Sequence, residues 1–512
     1  MPNLHVLLRA VGTSAVLLEV GAPGEVAGWS AVVAALVSRG VLPEPVEVVP
    51  GARTLLLDGI DPAAWRRELA LVESPALQVV PADGEVVELS VVYDGSDLAE
   101  VARVWGTTEQ GVINRHTATT FTVAFCGFAP GFAYLTGLSG VVPRRSTPRA
   151  SVPAGSVALA GPYCGVYPRA SPGGWQLIGR TDAELFDPDR DPAALLPPGT
   201  RVRFVARPDL TPRAAAPIAR PLTAGGRAFT VVRPGALTTV QDGGRIGLAS
   251  LGVPRGGPVD VGAAALANRL VGNDGQAALL ETTVDGVALR AGTALTIAVT
   301  GAMADLQVGG RAVSPGVAVD VPAGTVLDVG PALTCVRSYV AVAGGLAVAR
   351  VLGSRCRDTL SGLGTPVLTV GDVLPVGPVV AAPPPVWFSL PAPGGPVCLR
   401  LTPGPRTDWF GPAGLAALLS ATYELSPTSN RIGARLTGPA VPRRRGELDS
   451  EGMVLGAVQV PPDGLPVVLL NDHPTTGGYP VIGVVARADL DRLAQARPGT
   501  PVRFVLNESG LS

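Results

Sequence analysis

A polar loop near the C-terminus contains the densest group of side chains that could carry out acid–base chemistry. The segment Asn471-Asp-His-Pro-Thr-Thr-Gly-Gly-Tyr479 follows an apolar run that predicts a strand at 465–470. Histidine titrates near neutral pH and can move protons there, and loops at strand ends commonly carry binding groups. We predict that His473 and Asp472 are catalytic. The predicted binding residues in this part of the chain are Gln459, Thr475, Thr476 and Tyr479.

A second candidate proton carrier is His116, one of three histidines in the chain. It lies near the end of a helix predicted at 108–117. A histidine in that position can also stabilise its own helix by interacting with the last carbonyl groups. We therefore predict a catalytic role for His116, with helix capping as the alternative.

Lysine does not occur, so all 40 residues counted as lysine or arginine are arginine. The polypeptide therefore cannot contain a biotinyl-lysine, a pyridoxal phosphate Schiff base, a GxxxxGK phosphate loop, a kinase-type strand lysine or a Ser-Ser-Lys amidase centre. Anionic ligands must be bound by arginine, whose planar guanidinium suits carboxylate and phosphate groups, or by backbone N–H groups in glycine turns.

Arginines cluster in the segment Pro143-Arg-Arg-Ser-Thr-Pro-Arg149, where two prolines restrict the backbone. Such a segment could hold its guanidinium groups toward one anion, and an exposed surface loop is the alternative. The predicted substrate- or nucleotide-binding residues are Arg144, Arg149, Ser156, Arg169, Ser171 and Arg180 in the first half, and Asp242 and Arg245 in the second.

Metal and redox sites have little support in the residue spacing. Asp242, Asp260 and Glu281 could bind Mg²⁺ together with nucleotide phosphates, but no DxD or HxH spacing predicts a preformed metal site. The five cysteines lack CxxC spacing, which indicates reduced thiols. We therefore predict no metal ligands.

The composition also limits the classes of partner. The net charge is −1 and the charges are dispersed, which argues against nucleic acid. The apolar runs are shorter than the roughly 18 residues of a membrane span, and the first ten residues do not resemble a secretory signal. We expect a cytoplasmic protein that acts on a small molecule.

Two motifs recur in the same order about 300 positions apart. Ser171-Pro-Gly-Gly-Trp-Gln-Leu-Ile-Gly179 aligns with Thr475-Thr-Gly-Gly-Tyr-Pro-Val-Ile-Gly483, and the octamer at 198–205 aligns with the one at 498–505. Two ordered matches predict a duplicated domain. The alignment places Arg169 opposite His473, so both loops could face one ligand region. The alternative is that Gly-Gly-aromatic is only a structural turn.

The first 207 residues divide into two predicted domains. Residues 1–85 form a small α/β domain, with strands at 15–20, 46–49 and 53–57, a helix at 26–38, and a helix that begins at Asp61-Pro62. Residues 86–207 form a β-barrel domain. It has a strand at 86–93, helices at 97–105 and 108–117, and then short β-rich runs separated by glycine and proline.

Two proline-rich segments divide the rest of the chain, a linker at 208–227 and a hinge at 381–396. Between them, residues 228–380 predict a β-barrel subdomain with one helix at 259–271. Residues 397–512 predict a second barrel subdomain with one helix at 412–420 followed by strands. The predicted fold class is mainly β, with an α/β N-terminal domain and duplicated β-barrels.

Multi-block motifs extend over nearly the whole chain. The first half contains His116, Gly127-Phe-Ala-Pro-Gly-Phe-Ala-Tyr134, Pro148-Arg149, Val152-Pro-Ala-Gly-Ser156 and Ser171-Pro-Gly-Gly-Trp175. The second contains Thr239-Val-Gln-Asp-Gly-Gly-Arg245, Gly252-Val-Pro254, Gly257-Pro-Val-Asp260, Ala267-Asn268, Leu270-Val-Gly-Asn273, Ser450-Glu-Gly452 and Thr475-Thr-Gly-Gly-Tyr479. The chain thereby resembles a fusion of the B and C subunits of bacterial 5-oxoprolinase, which are KipI-like and KipA-like and similar to the carboxyltransferase part of urea amidolyase.

The resemblance implies cyclophilin-like β-barrels and an ATP-dependent hydrolase component that opens 5-oxoproline to L-glutamate. It further implies ATP with Mg²⁺, a separate A subunit as partner and no covalent biotin on this chain. Two alternatives stay open: a biotin-dependent carboxyltransferase acting on urea or a related amide, and a KipI-like regulator that binds a histidine kinase. Assembly into a homo-oligomer is also left open.

Overall fold

The structure is a computed structural model that describes residues 6–70, 86–145, 147, 149–209, 226–382, 395–446 and 448–507. Most of the predicted linker and most of the predicted hinge therefore lie outside the described residues. The described chain forms four successive units, which are named here the N-terminal unit, the first barrel, the middle unit and the second barrel. No described helix is long and apolar enough to cross a membrane.

The N-terminal unit is a four-stranded antiparallel sheet in the order β1-β2-β4-β3, with two helices on one face. Adjacent residues of a strand point to opposite faces. Leu18 and Leu57 therefore pack under the helices, whereas Leu17 and Leu56 pack against the second barrel. The elements are β1 Leu7–Val11, β2 Ala15–Glu19, α1 Glu25–Ser38, β3 Glu47–Pro50, β4 Thr54–Asp58 and α2 Pro62–Ala70. The predicted small α/β domain is confirmed.

The first barrel is a seven-stranded sheet in the order β12-β9-β10-β7-β6-β13-β5. Its two edges are joined because Val92 and Arg180 exchange backbone hydrogen bonds of 2.9 Å. The elements are β5 Val87–Val91, α3 Leu98–Val104, α4 Glu109–Ala118, β6 Thr120–Cys126, β7 Ala133–Thr136, β8 Arg149–Val152, β9 Ser156–Ala160, β10 Tyr163–Val166, β11 Ser171–Gly173, β12 Gln176–Arg180 and β13 Arg201–Ala206.

The middle unit contains two sheets in the orders β20-β19-β22-β17-β14-β24 and β15-β16-β23-β18-β21. The sheets share one apolar core, and α5 covers the outer face of the second sheet. The elements are β14 Ala228–Arg233, β15 Leu237–Gln241, α5 Val261–Leu270, β16 Leu279–Thr283, β17 Val287–Ala291, β18 Leu295–Gly301, β19 Ala304–Val308, β20 Arg311–Ala312, β21 Val319–Val321, β22 Val326–Ala332, β23 Arg337–Val342 and β24 Val373–Pro375. Two packed sheets thus replace the single barrel predicted for 228–380.

The second barrel is closed, with seven strands in the order β25-β32-β29-β30-β27-β26-β33. The elements are β25 Val397–Pro403, α6 Gly411–Ser420, β26 Tyr423–Leu425, β27 Gly433–Thr437, β28 Glu451–Gly452, β29 Ala457–Gln459, β30 Val467–Leu469, β31 Thr476–Gly477, β32 Val481–Val485, α7 Arg487–Ala494 and β33 Pro501–Leu506. Only α6 was predicted here. The short helix α7 depends on tertiary contacts, since Leu490 and Leu493 are buried and Asp489 pairs with Arg400 of β25.

The two barrels have the same topology, which confirms the predicted duplication. Read around each barrel, the strands β12-β9-β10-β7-β6-β13-β5 correspond one to one to β32-β29-β30-β27-β26-β33-β25. Each barrel also carries a two-stranded arm, β11-β8 in the first and β31-β28 in the second. The last strand of each barrel pairs in parallel with its first strand. The aligned motifs therefore occupy equivalent positions in the two barrels.

Candidate functional site

A cavity of about 410 Å³ lies where the N-terminal unit, the middle unit and the second barrel meet. The N-terminal unit contributes the β1–β2 turn and Asp58, which ends β4. The middle unit contributes the loop Pro254–Pro258, and the second barrel contributes His473 and Arg487. Because each wall comes from a different unit, the cavity exists only in the assembled chain. Its volume is large enough for a small metabolite.

His473 presents a proton acceptor to this cavity. Its Nδ1 lies 2.8 Å from the carbonyl oxygen of Pro474, which can only accept, so Nδ1 carries the proton in the neutral ring. Nε2 has no hydrogen-bond partner within the described part of the chain. Burial lowers the pKa of His473, although the Pro474 hydrogen bond and nearby Asp58 act in the opposite direction. The ring is therefore neutral at neutral pH, and Nε2 can accept a proton.

Two carboxylates of the N-terminal unit line the cavity, and both are anchored by backbone N–H groups. Glu47 accepts from Gly247 at 2.8 Å and from Ala249 at 3.1 Å, and Asp58 accepts from Gly59 at 2.8 Å. Burial raises the pKa of both groups, which the N–H contacts partly offset. Glu47 consequently fastens the N-terminal unit to the middle unit beside the cavity.

Two arginines in the cavity wall have no ion-pair partner. Arg255 lies in the loop Pro254–Pro258 and Arg487 is the first residue of α7. Neither guanidinium makes a hydrogen bond or an ion pair with any residue that the structure describes. Burial lowers the pKa of Arg487, and nearby Arg255 lowers it further. The two guanidinium groups therefore lie near each other, and nearby Asp58 and Asp491 offset part of their charge without forming an ion pair with either of them.

Two buried oxygen atoms of the cavity residues also lack partners. Gln241 Nε2 donates to Thr239 Oγ1 at 2.9 Å and to the carbonyl oxygen of Arg357 at 3.0 Å, which leaves Oε1 unpaired. Thr475 Oγ1 is likewise buried without a partner among the described residues. An unsatisfied buried polar group costs about 1–3 kcal/mol, and both oxygens belong to residues of the cavity wall but are themselves buried.

A buried ion network holds the loop that carries Arg255. Arg431 donates to Glu281, to both oxygens of Asp472 at 3.0 Å and to the Gly257 carbonyl oxygen at 2.7 Å. Gly256 and Gly257 have positive φ angles of 68° and 96°, and a Cβ on Gly256 would lie 2.9 Å from the sulfur of Cys356. Only glycine meets both requirements without strain. The loop is thus fixed before any ligand binds.

The structure does not support the catalytic role predicted for Asp472. Its side chain is fully buried, and its two oxygens accept from Arg431 and from the backbone and hydroxyl of Thr359 at 2.8 and 2.6 Å. No oxygen is left to exchange a proton with a substrate. Asp472 instead holds the base of the loop that carries His473.

The catalytic role predicted for His116 is also not supported. This residue is fully buried in the first barrel, where Nδ1 lies 2.7 Å from the Tyr93 hydroxyl and Nε2 lies 3.2 Å from the Cys164 sulfur. The rings of Phe121 and Phe204 pack against it. Burial lowers the pKa of His116 to about 3. It is a neutral core residue and does not line the cavity.

Three of the predicted binding residues in the first barrel have structural partners instead. Arg149 donates to both oxygens of Asp97 at 2.7 and 2.8 Å, and Arg180 pairs with Asp94 at 2.7 Å. The Ser156 hydroxyl donates to the carbonyl oxygen of Pro153 at 2.8 Å. Their geometry is explained by the barrel alone, because each polar group is already bonded.

Arg144, Arg169 and Ser171 do not line the cavity. Arg144 is exposed, and its Nη1 is 3.7 Å from the position that a Cβ would take on Gly478. Arg169 reaches Gly362 of the middle unit, and burial lowers its pKa. Ser171 Oγ is buried without a partner among the described residues, as is Oγ1 of the aligned Thr475. The two duplicated loops therefore approach the same segment of the middle unit, since Asp472 bonds to Thr359 and Arg169 lies beside Gly362, but only the second loop lines the cavity.

The remaining predicted residues of the second half have mainly structural contacts. Asp242 reaches the cavity, but its oxygens accept from Gly244, Ser354 and Arg355. Arg245 is buried and donates to Val351 and Cys356. Gln459 contacts Met453 and donates to the Tyr479 carbonyl oxygen. The Thr476 hydroxyl accepts from the Phe128 N–H. The Tyr479 side chain is 43% exposed.

The described ranges contain no group of three or more histidine, cysteine, aspartate or glutamate side chains placed to hold a metal. Of the predicted site residues, the cavity brings together His473, Thr475 and Asp242. Sequence reasoning missed Asp58, Arg255 and Arg487. Arg255 lies between the quoted motifs Gly252-Val-Pro254 and Gly257-Pro-Val-Asp260, and that position could have indicated a functional residue. Arg487 is the first residue of α7, a helix that the sequence analysis did not predict.

Two family descriptions match successive parts of the chain. Residues 6–196 match the carboxyltransferase domain, subdomain C and D, and residues 251–506 match the carboxyltransferase domain, subdomain A and B. The B subunit of 5-oxoprolinase from Escherichia coli O157:H7 is 41% identical over 210 residues, 38% of this chain and 93% of that protein. The C subunit of 5-oxoprolinase from Escherichia coli K12 is 39% identical over 284 residues, 54% of this chain and 90% of that protein.

The urea amidolyase of Lachancea kluyveri is 32% identical over 307 residues, but these are only 17% of that protein. Among solved structures, the crystal structure of TTHA0988 matches with a TM-score of 0.85 and 36% identity over 98% of this chain and 100% of that chain. The crystal structure of the K. lactis urea amidolyase matches with a TM-score of 0.51 and 29% identity over 56% of this chain and 19% of that chain. The four-unit architecture is therefore shared over the full length of a solved protein.

Proposed function

The chain belongs to the carboxyltransferase-domain family, and from that premise we propose that it is the fused B and C component of an ATP-dependent 5-oxoprolinase. The observation that carries this proposal is the order of the homologies. One polypeptide covers 93% of the B subunit of a 5-oxoprolinase and then 90% of the C subunit of another. The cavity supports the same conclusion, because Asp58 comes from the half that resembles the B subunit, and His473 comes from the half that resembles the C subunit.

The proposed reaction needs ATP because a lactam is an unreactive amide. The amide oxygen attacks the γ-phosphorus of ATP and displaces ADP, which leaves a phosphorylated imidate. Water adds to the imidate carbon and gives up a proton, the ring C–N bond breaks, and the nitrogen leaves with a proton. The resulting acyl phosphate reacts with a second water to give glutamate and phosphate.

His473 is the proposed proton carrier of the ring-opening step. Its Nε2 takes the proton from the attacking water and returns it to the leaving nitrogen, which a neutral imidazole can do in both directions. Gln241 and Thr475 are proposed to position the substrate beside His473, because both residues form part of the cavity wall. Fixed walls make such positioning effective.

A separate A subunit and ATP with Mg²⁺ belong to the same proposal. The relatives are named as subunits, which supports a complex of several chains. The described chain offers no cluster of metal-ligating side chains, so we propose that Mg²⁺ arrives bound to the nucleotide phosphates. Asp242, Asp260 and Glu281 are not proposed as ligands, because Asp242 and Glu281 are already bonded within the protein and Asp260 caps α5.

Urea carboxylation is not proposed, because the match covers only 17% of the Lachancea kluyveri urea amidolyase and this chain has no lysine to carry biotin. Regulation of a histidine kinase would not require the second half, which forms two of the three cavity walls. For the carboxyltransferase alternative, the structural match to the K. lactis urea amidolyase covers only 19% of that chain.

The test is an assay of glutamate and ADP formation from 5-oxoproline and ATP by this chain together with its A subunit. We expect turnover with the A subunit and none without it. The variant His473→Gln should lower the turnover number by roughly 100-fold or more, the usual contribution of general acid–base catalysis.

The matched control is Arg180→Gln, which changes an exposed ion pair on the first barrel and should leave turnover unchanged. Failure of the complex to form glutamate, or an unchanged rate in His473→Gln, would contradict the proposal.

A further inference from the structure

We propose that Arg255 and Arg487 together bind the oxyanion of the ligand in the cavity, as a carboxylate or a phosphate group. The residues come from different units, one from a loop of the middle unit and one from the start of α7 in the second barrel. This inference deepens the proposed function, on which the choice of 5-oxoproline as a probe rests. The sequence analysis named neither residue as a candidate.

The first observation is that both guanidinium groups lack partners in a protein where most arginines have one. Arg149, Arg180, Arg245, Arg400, Arg406 and Arg431 all bond to carboxylates or backbone carbonyls. Arg255 and Arg487 bond to no described residue, although both line a cavity. A guanidinium carries five N–H donors, and both side chains are exposed, so donors of each are available to a ligand that enters the cavity.

The second observation is that the acidic groups around the pair are already bonded to backbone N–H groups. Glu47 accepts from Gly247 and Ala249, Asp58 accepts from Gly59, and Asp491 accepts from Val261 and Gly262 at 3.1 Å each. These carboxylates lie close enough to reduce the repulsion between the guanidinium groups. They do not form ion pairs with either arginine, so these carboxylates do not occupy the guanidinium donors.

The third observation is that the walls are rigid. The Arg255 loop is fixed by Gly256, Gly257 and Arg431, and α7 is fixed by the pair between Asp489 and Arg400. Like charges held near each other destabilise the empty site, and an oxyanion between them removes that repulsion. Two planar guanidinium groups from different units suit a carboxylate or a phosphate, and they would hold a ligand in the cavity that His473 also lines.

The test is to measure binding of four probes to the purified full chain by titration calorimetry: 5-oxoproline, 2-pyrrolidinone, inorganic phosphate and ATP. 2-Pyrrolidinone is the same lactam without the carboxylate. We expect Arg255→Gln and Arg487→Gln each to weaken the anionic probe that binds by about tenfold or more, the effect of losing a charge-assisted hydrogen bond. Binding of 2-pyrrolidinone should change by less than about threefold.

The matched control is Arg103→Gln, which removes the same charge from an exposed position on α3. It should bind every probe like the wild type. If 5-oxoproline binds and depends on both arginines, the oxyanion is its carboxylate; if only phosphate or ATP does, the oxyanion is a phosphate group. In the second case the proposed anion site is confirmed, but 5-oxoproline is not its ligand.

The inference is overturned if the double variant binds the anionic probes as tightly as the wild type. It is also overturned if none of the three anionic probes binds the wild type with a Kd below about 10 mM. Circular dichroism and the thermal midpoint of each variant establish that a loss of binding does not come from unfolding.

Discussion

At the scale of single residues, the two described histidines show how the surroundings decide the chemistry of one side chain. His473 has a bonded Nδ1 and an Nε2 that faces a cavity. Both nitrogens of His116 are bonded inside the first barrel. Burial lowers the pKa of each, but only His473 has an atom free to exchange a proton. Residue type alone could not separate them.

The buried His116 predicts a specific acid sensitivity. Its pKa is lowered from 6.5 to about 3. Below about pH 6.5, His116 is therefore protonated in the unfolded chain but stays neutral in the folded chain. Stability is therefore lost as the pH falls through this window. From about pH 7 to pH 5 the loss from this one residue is about 2 kcal/mol.

The measurement compares thermal unfolding of the wild type and of His116→Asn at both pH values. The variant should be less stable at neutral pH, because it loses contacts with Tyr93 and Cys164, yet it should lose less of its stability on acidification. Equal losses in the two proteins would show that His116 is not a neutral core residue. All other titrating groups are common to both proteins and cancel.

At the scale of elements, arginines of the first barrel fasten secondary structure and do not face the cavity. Asp97 precedes α3 and accepts from Arg145, from Arg149 of β8 and from the Leu177 N–H of β12 at 2.7 Å. One buried carboxylate thus joins a helix, an arm strand and a barrel strand. The sequence showed a run of arginines but not the acid about 50 positions earlier that binds them.

This arrangement predicts that Asp97→Ala is strongly destabilising and that it leaves ligand binding intact. The substitution leaves the Leu177 N–H and two guanidinium groups without their acceptor, which should cost about 3 kcal/mol. Arg149→Ala should cost less, about 1–2 kcal/mol, because Arg145 still pairs with Asp97. Calorimetry and hydrogen exchange of residues 171–180 report the loss.

Arg180→Ala is the control, since its partner Asp94 is 44% exposed and surface pairs contribute about 1 kcal/mol or less. A loss of anion affinity in Arg149→Ala without loss of stability would instead restore Arg149 to the binding site.

At the scale of the whole molecule, the two halves are interlocked and not merely joined in sequence. A shared apolar core contains Leu56 of the N-terminal unit and Met453 of the second barrel. Arg406 bridges Glu19 and Glu451 across the same boundary. The first barrel also packs so closely on Thr476 that a Cβ added to Gly127 would overlap the threonine side chain. Both units of the first half of the chain therefore contact the second barrel.

We expect the chain to tolerate division between its halves. Residues 1–207 and 228–512, produced together as separate polypeptides, should copurify and retain turnover with the A subunit, because the contacts that build the cavity do not depend on a covalent link. Size-exclusion chromatography and the glutamate assay measure both properties.

Leu56→Asp should disrupt this association, since it places a charge in the shared core. The matched control is Leu7→Asp on the same sheet, where the side chain is 49% exposed. Halves that elute separately in the absence of any substitution would contradict the expectation.

Local patterns predicted much of the fold. The helices at 25–38, 98–104, 109–118, 261–270 and 411–420 agree with their predictions to within two residues at each end, because capping residues and apolar spacing are local signals. The repeated motifs predicted the duplicated barrel. The middle unit was harder, since turn-rich β sequence fits two packed sheets as well as one barrel, and strand partners far apart in sequence decide between them.

The sequence by itself determined the family, the duplication and the absence of lysine chemistry. Only the tertiary structure decided which polar groups are free. The sequence predicted that Asp472, Arg149 and Arg245 belong to the site. In the structure their donors and acceptors are bonded within the protein. Arg255, Arg487 and Asp58 gave no comparable signal, but the packing of three units brings them to one cavity. The reason is that a side chain's availability depends on partners from distant segments, and a single sequence does not record those contacts.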